Sequence, residues 1–159
     1  MGIEAGVAER FRAAFRGFPA GVAVVAAAGP DGPVGLTASS VASVSVAPPA
    51  LSFSVMDSPS ARVLAATDRV VVHLLGAGHA GLARDFARAG GPRFTAGQGW
   101  RSLPSGEPIL PGVPAALYCS VLQRVPVGAS TVVVAEVIEA FLGPADGRLI
   151  YHDREFLAF

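Results

Sequence analysis

Apolar residues follow two different periods along the chain, and each period predicts a different kind of element. In residues 4–16, Val7, Phe11 and Phe15 recur four positions apart with charged residues between them, which predicts an amphipathic helix that ends at Gly17 and Pro19. From residue 20 onwards, apolar or alternating runs bounded by Gly and Pro predict strands. These runs are AGVAVVAAA (20–28), PVGLTAS (33–39), SVSV (43–46), ALSFSVM (50–56), RVVVHLL (69–75), AALYCSVLQRVPV (115–127), STVVVAEVIEAFL (130–142) and RLIYHDREFLAF (148–159).

Two shorter helices interrupt the strand pattern. Asp57, Ser58 and Ser60 precede RVLAAT and predict a capped helix with Pro59 in its first turn, and GHAGLARDFARAG (78–90) predicts an amphipathic one. Residues 91–114 are rich in Gly and Pro and predict a long loop with a functional or interface role.

The first strands, joined by short turns, predict an antiparallel meander. About seven strands, two or three short helices and no βαβ rhythm predict one mainly β domain over residues 1–159, an antiparallel closed or split barrel.

Composition narrows the choice of partners and compartment. Apolar residues make up 52% of the chain and charged ones 15%, against about 25% in a typical soluble domain, so we expect a homodimer that covers part of the surface. The 12 Arg and 12 acidic residues cancel and Lys is absent, so no basic field attracts nucleic acid or an anionic membrane. The single Cys119, the charged N-terminal segment and the lack of an 18-residue apolar run predict a soluble cytoplasmic protein.

Several enzyme classes lack their required motifs. No serine lies in the strained elbow of a serine hydrolase, and His73, His79 and His152 have neither the spacing nor the carboxylate of a zinc site, so no metal is predicted. A phosphate-binding P-loop needs a lysine. GAGHAG (76–81) fits the dinucleotide fingerprint formally, but the second strand-helix-strand unit and the acidic residue about 20 positions on are missing.

Hydroxyl groups concentrate in GLTASSVASVSV (35–46) without any charged neighbour. In a strand Thr37 and Ser39 face one way and Ala38 and Ser40 the other. If the strand bends at Ser39, hydroxyls and nearby amides converge and can hold an anion without lysine. The alternative is that these residues line a solvated face of a sheet, and the spacing alone leaves both interpretations open.

An ordered set of segments resembles the flavin reductase-like family, whose members are short, dimeric, antiparallel split β-barrels that bind FMN or FAD. The segments are FRAAFRGFPAGVAVVAA, PVGLTASSVASVSVAPPALSFSV, SPSARVL, VVHLLGAGHAGLARDFA and RLIYHDREF, in that order from about Phe11 to Phe156. The resemblance implies an NAD(P)H-dependent flavin reductase, in which NADH or NADPH gives hydride to the flavin and the reduced flavin serves a partner monooxygenase.

The same resemblance implies a set of site residues, with no catalytic side chain, because donor and acceptor are both cofactors. A flavin would be bound by Thr37, Ala38, Ser39, Ser40, Val41, Ser54, Val55, Met56, Ser60, Ala61 and Phe86. The nicotinamide nucleotide would be bound by Ser130, Tyr151 and Arg154. Phe86 fits a core aromatic equally well, and Tyr151 and Arg154 fit a barrel-closing tyrosine and a surface arginine.

Two departures bear on the reductase activity. Relatives often have Gly-Asp-His-Thr between the two long C-terminal strands, where this chain has Gly128, Ala129, Ser130 and Thr131. The family's VNVL and following Gln are here Val72–Leu75 and His79. These changes affect nicotinamide binding more than flavin binding, so the alternative is a flavin-binding carrier or oxygenase-associated protein with weak or no reductase activity.

Overall fold

The computed structural model describes residues 3–159. Within this range lie three α-helices, Ile3–Arg16 (α1), Pro59–Ala66 (α2) and Ala80–Ala87 (α3), and none of them is long and apolar enough to cross a membrane. The strands are β1 Ala20–Gly21, β2 Ala23–Gly29, β3 Gly32–Ala38, β4 Ala42–Val46, β5 Pro49–Met56, β6 Arg69–Leu74, β7 Arg101–Ser102, β8 Pro108–Ile109, β9 Ala115–Val127, β10 Ser130–Leu142, β11 Leu149–His152 and β12 Glu155–Ala158.

Seven strands form the main sheet in the order β3-β2-β6-β9-β10-β5-β4, and every pairing is antiparallel. The meander predicted for β2 to β5 is therefore wrong between β3 and β4, which lie at opposite edges. Residues 39–41 connect these edges, and four Cα steps reach at most about 14 Å. A flat sheet of seven strands would separate its edges by about 29 Å. The sheet therefore curls until its edges meet, and β3 also approaches β5.

The central strands are buried on both faces, which explains their continuous apolar runs. Neighbouring residues of a strand point to opposite faces. In β2, Val25 packs in one core cluster with Leu64 of α2, whereas Val24 packs in a second cluster with Phe86 of α3. The helices α2 and α3 thus cover different faces of the curled sheet.

The structure corrects three predictions, which concern the C-terminal segment, the helix predicted over 78–90 and the long loop. The segment 148–159 forms a hairpin, β11–β12, instead of one strand, because Asp153 and Arg154 adopt left-handed φ values of 49° and 64° at the turn. The hairpin pairs with β1 in a separate three-stranded sheet. The helix predicted over 78–90 is shorter, since a 3-10 turn at Ala77–His79 precedes α3. The long loop contains the two short strands β7 and β8.

Candidate functional site

A groove of about 680 Å³ lies where residues 39–40 leave β3 and meet the end of β5. The first turn of α2 and the end of α3 form its other walls. Nine of the eleven residues predicted to bind flavin line it: Thr37, Ala38, Ser39, Ser40, Ser54, Val55, Met56, Ser60 and Phe86. Its size falls within the range of about 300–1,000 Å³ that small-ligand sites occupy.

The hydroxyls of the groove differ in whether they still have a proton to donate. Thr37 Oγ1 donates to the Ala83 carbonyl of α3 at 2.7 Å, and Ser40 Oγ donates to the Ser54 carbonyl at 3.1 Å. A hydroxyl has one proton, so the protons of both hydroxyls are already used to hold β3 and the crossing, residues 39–41 between β3 and β4, in place. The exposed Ser39 hydroxyl has no such partner among the described residues and is the better donor to an anion.

The first turn of α2 supplies a second group of donors. Ser58 is the N-cap, and its Oγ accepts the Ala61 N–H at 3.1 Å. Pro59 has no N–H, and the Ser60 N–H is one of the first-turn amides that a helix cannot satisfy internally. These amides and the positive end of the helix dipole favour an anion at this point of the groove.

Asp57, also in the lining, is the only carboxylate among the described residues of the wall. Arg62 holds it through two hydrogen bonds of 2.8 and 3.1 Å, and the bond from Arg62 lowers the pKa of the Asp57 carboxyl. Its negative charge is thus offset at the mouth of the groove.

Arg93 is the charged lining residue that the sequence patterns did not identify. Its guanidinium donates to the carbonyls of Gly35, Gly91 and Phe86 at 3.1, 3.3 and 2.9 Å and lies 5.7 Å from the centre of the Phe86 ring. Carbonyl dipoles orient a guanidinium without neutralising it, so its charge stays available to the groove. A Cβ on Gly35 would lie 2.9 Å from the Phe86 ring, so glycine at this position admits that packing.

Phe86 satisfies both interpretations made from the sequence. It is 1% exposed and belongs to the core, and its ring also forms part of the groove floor. Arg93 and the ring of Phe94 hold it from the side of the loop.

Two predicted flavin residues lie just behind the lining. Ala61 is 2% exposed and contributes through its N–H bond to Ser58. Val41 packs against the core cluster that contains Phe53.

The three predicted nicotinamide residues do not line the groove. Ser130 pairs with Met56 across β10 and β5, which places it next to the groove's end. Tyr151 lies in β11, where it pairs with Ala20, and its ring packs against that of Phe156 at a tilt, with the ring centres 5.1 Å apart. Arg154 occupies the β11–β12 turn. The described part of a single chain therefore does not bring Tyr151 and Arg154 to this groove.

In the GAGHAG segment, a backbone amide is already hydrogen-bonded to a carboxylate of the protein itself. Asp146 accepts the Gly78 N–H at 2.9 Å, and a Cβ on Gly76 would collide with the Asp146 backbone. These glycines admit the segment before β11. The match to a dinucleotide fingerprint is therefore accidental in this fold.

Metal and thiol chemistry find no support in residues 3–159. The described His, Cys, Asp and Glu side chains form no group that could hold a metal ion. Burial raises the pKa of the Cys119 thiol to about 12, so it stays protonated and unreactive.

Residues 15–159 match the model of the flavin reductase like domain. The chain belongs to this family, and the predicted antiparallel split barrel is confirmed. A relative named NADH:FMN oxidoreductase, from Rhodococcus qingshengii, is 40% identical over 92% of this chain and 79% of its own.

Two solved structures share the fold closely. The NADH:FAD oxidoreductase SgcE6 of Streptomyces globisporus C-1027, solved in complex with NAD and FAD fragments, has 32% identity and a TM-score of 0.85 over 95% of this chain and 92% of its own. The styrene monooxygenase flavin reductase of Pseudomonas putida S12 has 26% identity and a TM-score of 0.81 over 92% of this chain and 95% of its own.

Proposed function

We propose that the protein is an NAD(P)H-dependent flavin reductase that binds FMN or FAD in the groove beside residues 37–40. The observation that carries this proposal is a lysine-free groove whose donors converge from three directions. The Ser39 hydroxyl comes from the β3–β4 crossing, the Ser60 amide and hydroxyl from α2, and the Arg93 guanidinium from the loop after α3. Family membership and relatives named as NADH:FMN and NADH:FAD oxidoreductases support the assignment.

A flavin phosphate fits the donor set of this groove. A phosphate needs several hydrogen-bond donors and positive potential, which Ser39, Ser60, Arg93 and the α2 dipole supply. Ser54, Val55 and Met56 would face the isoalloxazine along the end of β5, above the floor that Phe86 forms.

A bound flavin supplies the hydride acceptor, and the protein's own residues then need only orient two cofactors and exclude water. Ser130 lies beside Met56 at the groove's end and is the best-placed of the predicted nicotinamide contacts. We further propose Tyr151 and Arg154 as nucleotide contacts, in which the Arg154 guanidinium pairs with phosphate. A partner monooxygenase would consume the reduced flavin, as suggested by the relative that is the flavin reductase of a styrene monooxygenase.

Two measurements on the purified protein test this function. Flavin binding is followed by quenching of FMN and FAD fluorescence, and reduction by stopped-flow oxidation of NADH and NADPH with each flavin. We expect micromolar or tighter flavin binding and turnover well above the rate with free flavin. No turnover with either donor would refute the reductase assignment.

A second candidate is a flavin carrier without efficient reductase activity. Ser130 motivates it, because relatives often have a histidine in this turn. Tight flavin binding with negligible NADH oxidation would support the carrier. In that case Ser130→His should raise the oxidation rate, with Ala129→Gly in the same turn as the matched control. An unchanged rate in Ser130→His would remove this position from the explanation.

We also propose that two copies associate, with α1 in the interface. Phe11, Phe15 and Phe18 are 62, 60 and 65% exposed, and the Phe15 ring lies 4.9 Å from that of Phe11 and 6.1 Å from that of Phe18. Two exposed aromatic rings of α1 and the ring of Phe18 just after the helix form the kind of apolar patch that a second copy covers. A cytoplasmic location, where reduced nicotinamide nucleotides are made, suits the proposed activity.

Light scattering after gel filtration tests this association. Phe11→Glu with Phe15→Glu should halve the molar mass, whereas Arg12→Ala on the same helix should leave it unchanged. A dimer that survives the double substitution would exclude α1 from the interface.

A further inference from the structure

His73 is completely buried in β6, and the proposed flavin chemistry makes no use of it. Its Nδ1 lies 3.0 Å from the Val24 carbonyl oxygen, and its Nε2 lies 3.1 Å from the Leu110 nitrogen. A carbonyl only accepts and an amide N–H only donates, so Nδ1 carries the proton and Nε2 accepts. The surroundings thus select one neutral tautomer and use both ring nitrogens.

The imidazole fastens the segment 88–114 to the main sheet at two points. One is the Leu110 N–H, which bonds to Nε2. The other is the Trp100 indole, which meets the imidazole edge to face with the ring centres 5.1 Å apart. Both partners belong to the segment that runs from α3 to β9, so His73 ties that segment to β6 and, through Val24, to β2.

The same segment carries Arg93 into the groove. Trp100 packs against Phe94 at 4.7 Å and against Phe86 at 5.6 Å. Arg93 precedes Phe94 directly, and its Nη2 donates to the Phe86 carbonyl. A continuous series of ring contacts and hydrogen bonds therefore leads from His73 to the guanidinium at the groove.

We propose that His73 is a positioning residue for phosphate recognition: it anchors the segment 88–114 so that Arg93 meets the phosphate of a bound flavin. The proposal rests on the proposed flavin function. It assigns to His73 an effect mainly on the phosphate end of the ligand, because Arg93 is the charged residue that the anchored segment places in the lining, whereas Ala89 and Gly90 bring no charge to it.

Comparing FMN with riboflavin, which lacks the phosphate, separates this role from a general structural one. His73→Phe keeps an aromatic ring but removes both hydrogen bonds. We expect it to weaken FMN binding about tenfold, the size of one charge-assisted hydrogen bond, and to leave riboflavin binding within about twofold. Arg93→Ala should produce the same pattern. In the Arg93→Ala background, His73→Phe should have no further effect on FMN.

Matched variants keep the test decisive. Cys119→Ala removes a buried side chain from β9 and should lower stability while leaving the ratio of FMN to riboflavin affinity unchanged. If His73→Phe does not fold, Trp100→Leu interrupts the same series of contacts and should lower that ratio. Equal loss of both ligands, or the full His73→Phe effect on FMN in the Arg93→Ala background, would overturn the proposal. If the unmodified protein binds neither flavin, the proposed function itself fails first.

Discussion

Ser39 and Ser40 are adjacent hydroxyls in the crossing between β3 and β4, and the structure gives them different tasks. Ser40 Oγ accepts the Ser54 N–H at 2.9 Å and donates to the Ser54 carbonyl at 3.1 Å. β4 pairs with β5 only as far as Ala42 opposite Ser52. The Ser40 hydroxyl therefore supplies the two bonds that a longer β4 would have made to Ser54, whereas the Ser39 hydroxyl faces the groove.

Single alanine substitutions should separate these tasks. Ser40→Ala removes two hydrogen bonds worth about 0.5–1.5 kcal/mol each, so the free energy of unfolding should fall by about 1–3 kcal/mol. For a chain of this length, Tm should fall by about 2–4 °C for each kcal/mol lost. Ser39→Ala is a surface change, for which we expect a stability effect within about 0.5 kcal/mol. It should instead weaken FMN binding by about 1.5–3 kcal/mol, the value of a charge-assisted bond.

Urea unfolding of the flavin-free protein and FMN fluorescence titration measure the two quantities on the same samples. The expected result is a crossed pattern in which Ser40→Ala changes mainly stability and Ser39→Ala changes mainly FMN affinity. Unchanged stability in Ser40→Ala, or weaker FMN binding in Ser40→Ala than in Ser39→Ala, would refute the assignment of hydroxyl protons.

Three further predictions concern the core and its glycines. Burial lowers the pKa of His73 from 6.5 to about 4. Between these pH values the unfolded chain binds a proton that the folded chain does not. The free energy of unfolding should therefore fall by about 3 kcal/mol as the pH drops through this window. Urea unfolding at pH 7 and 4.5 measures this loss, and His73→Phe should remove the part of it that comes from His73, leaving the smaller loss that carboxylates such as Asp57 contribute. Gly35→Ala should cost about 1–3 kcal/mol by crowding Phe86, and should weaken FMN binding in titrations because Arg93 bonds to the Gly35 carbonyl. Gly76→Ala should lower the unfolding midpoint in urea without changing FMN affinity, since it disturbs only the Asp146 contact.

Much of the fold was predictable because its signals are local. The apolar runs of β2 and β6 predict buried strands, and the structure buries both faces of these strands. The cap of α2 was equally predictable, since Ser58 and Pro59 provide the acceptor and the preset φ of a helix start.

Contacts between distant parts of the chain were not predictable from these patterns. Thr37 donates to Ala83, 46 positions away, and no local spacing reveals that its proton is already used. Arg93 lies in a segment without periodicity, and it reaches the groove through hydrogen bonds to the carbonyls of Gly35 and Phe86, which are 58 and 7 positions away. The pairing order of β3 and β4 likewise depends on how the whole sheet closes.

The position of the groove follows from that closure. Where residues 39–41 pass from one edge of the sheet to the other, the crossing residues have no neighbouring strand on which to pair, and buried or half-buried backbone groups need another partner. Ser40 meets part of this need from within the chain by bonding to Ser54. The Ser39 hydroxyl lines the same groove as the first turn of α2 and Arg93, so a bound anion can accept hydrogen bonds from all three. We therefore propose that the groove beside residues 39–41 is the flavin site, because this short connection brings the Ser39 hydroxyl, the first turn of α2 and the Arg93 guanidinium to one place.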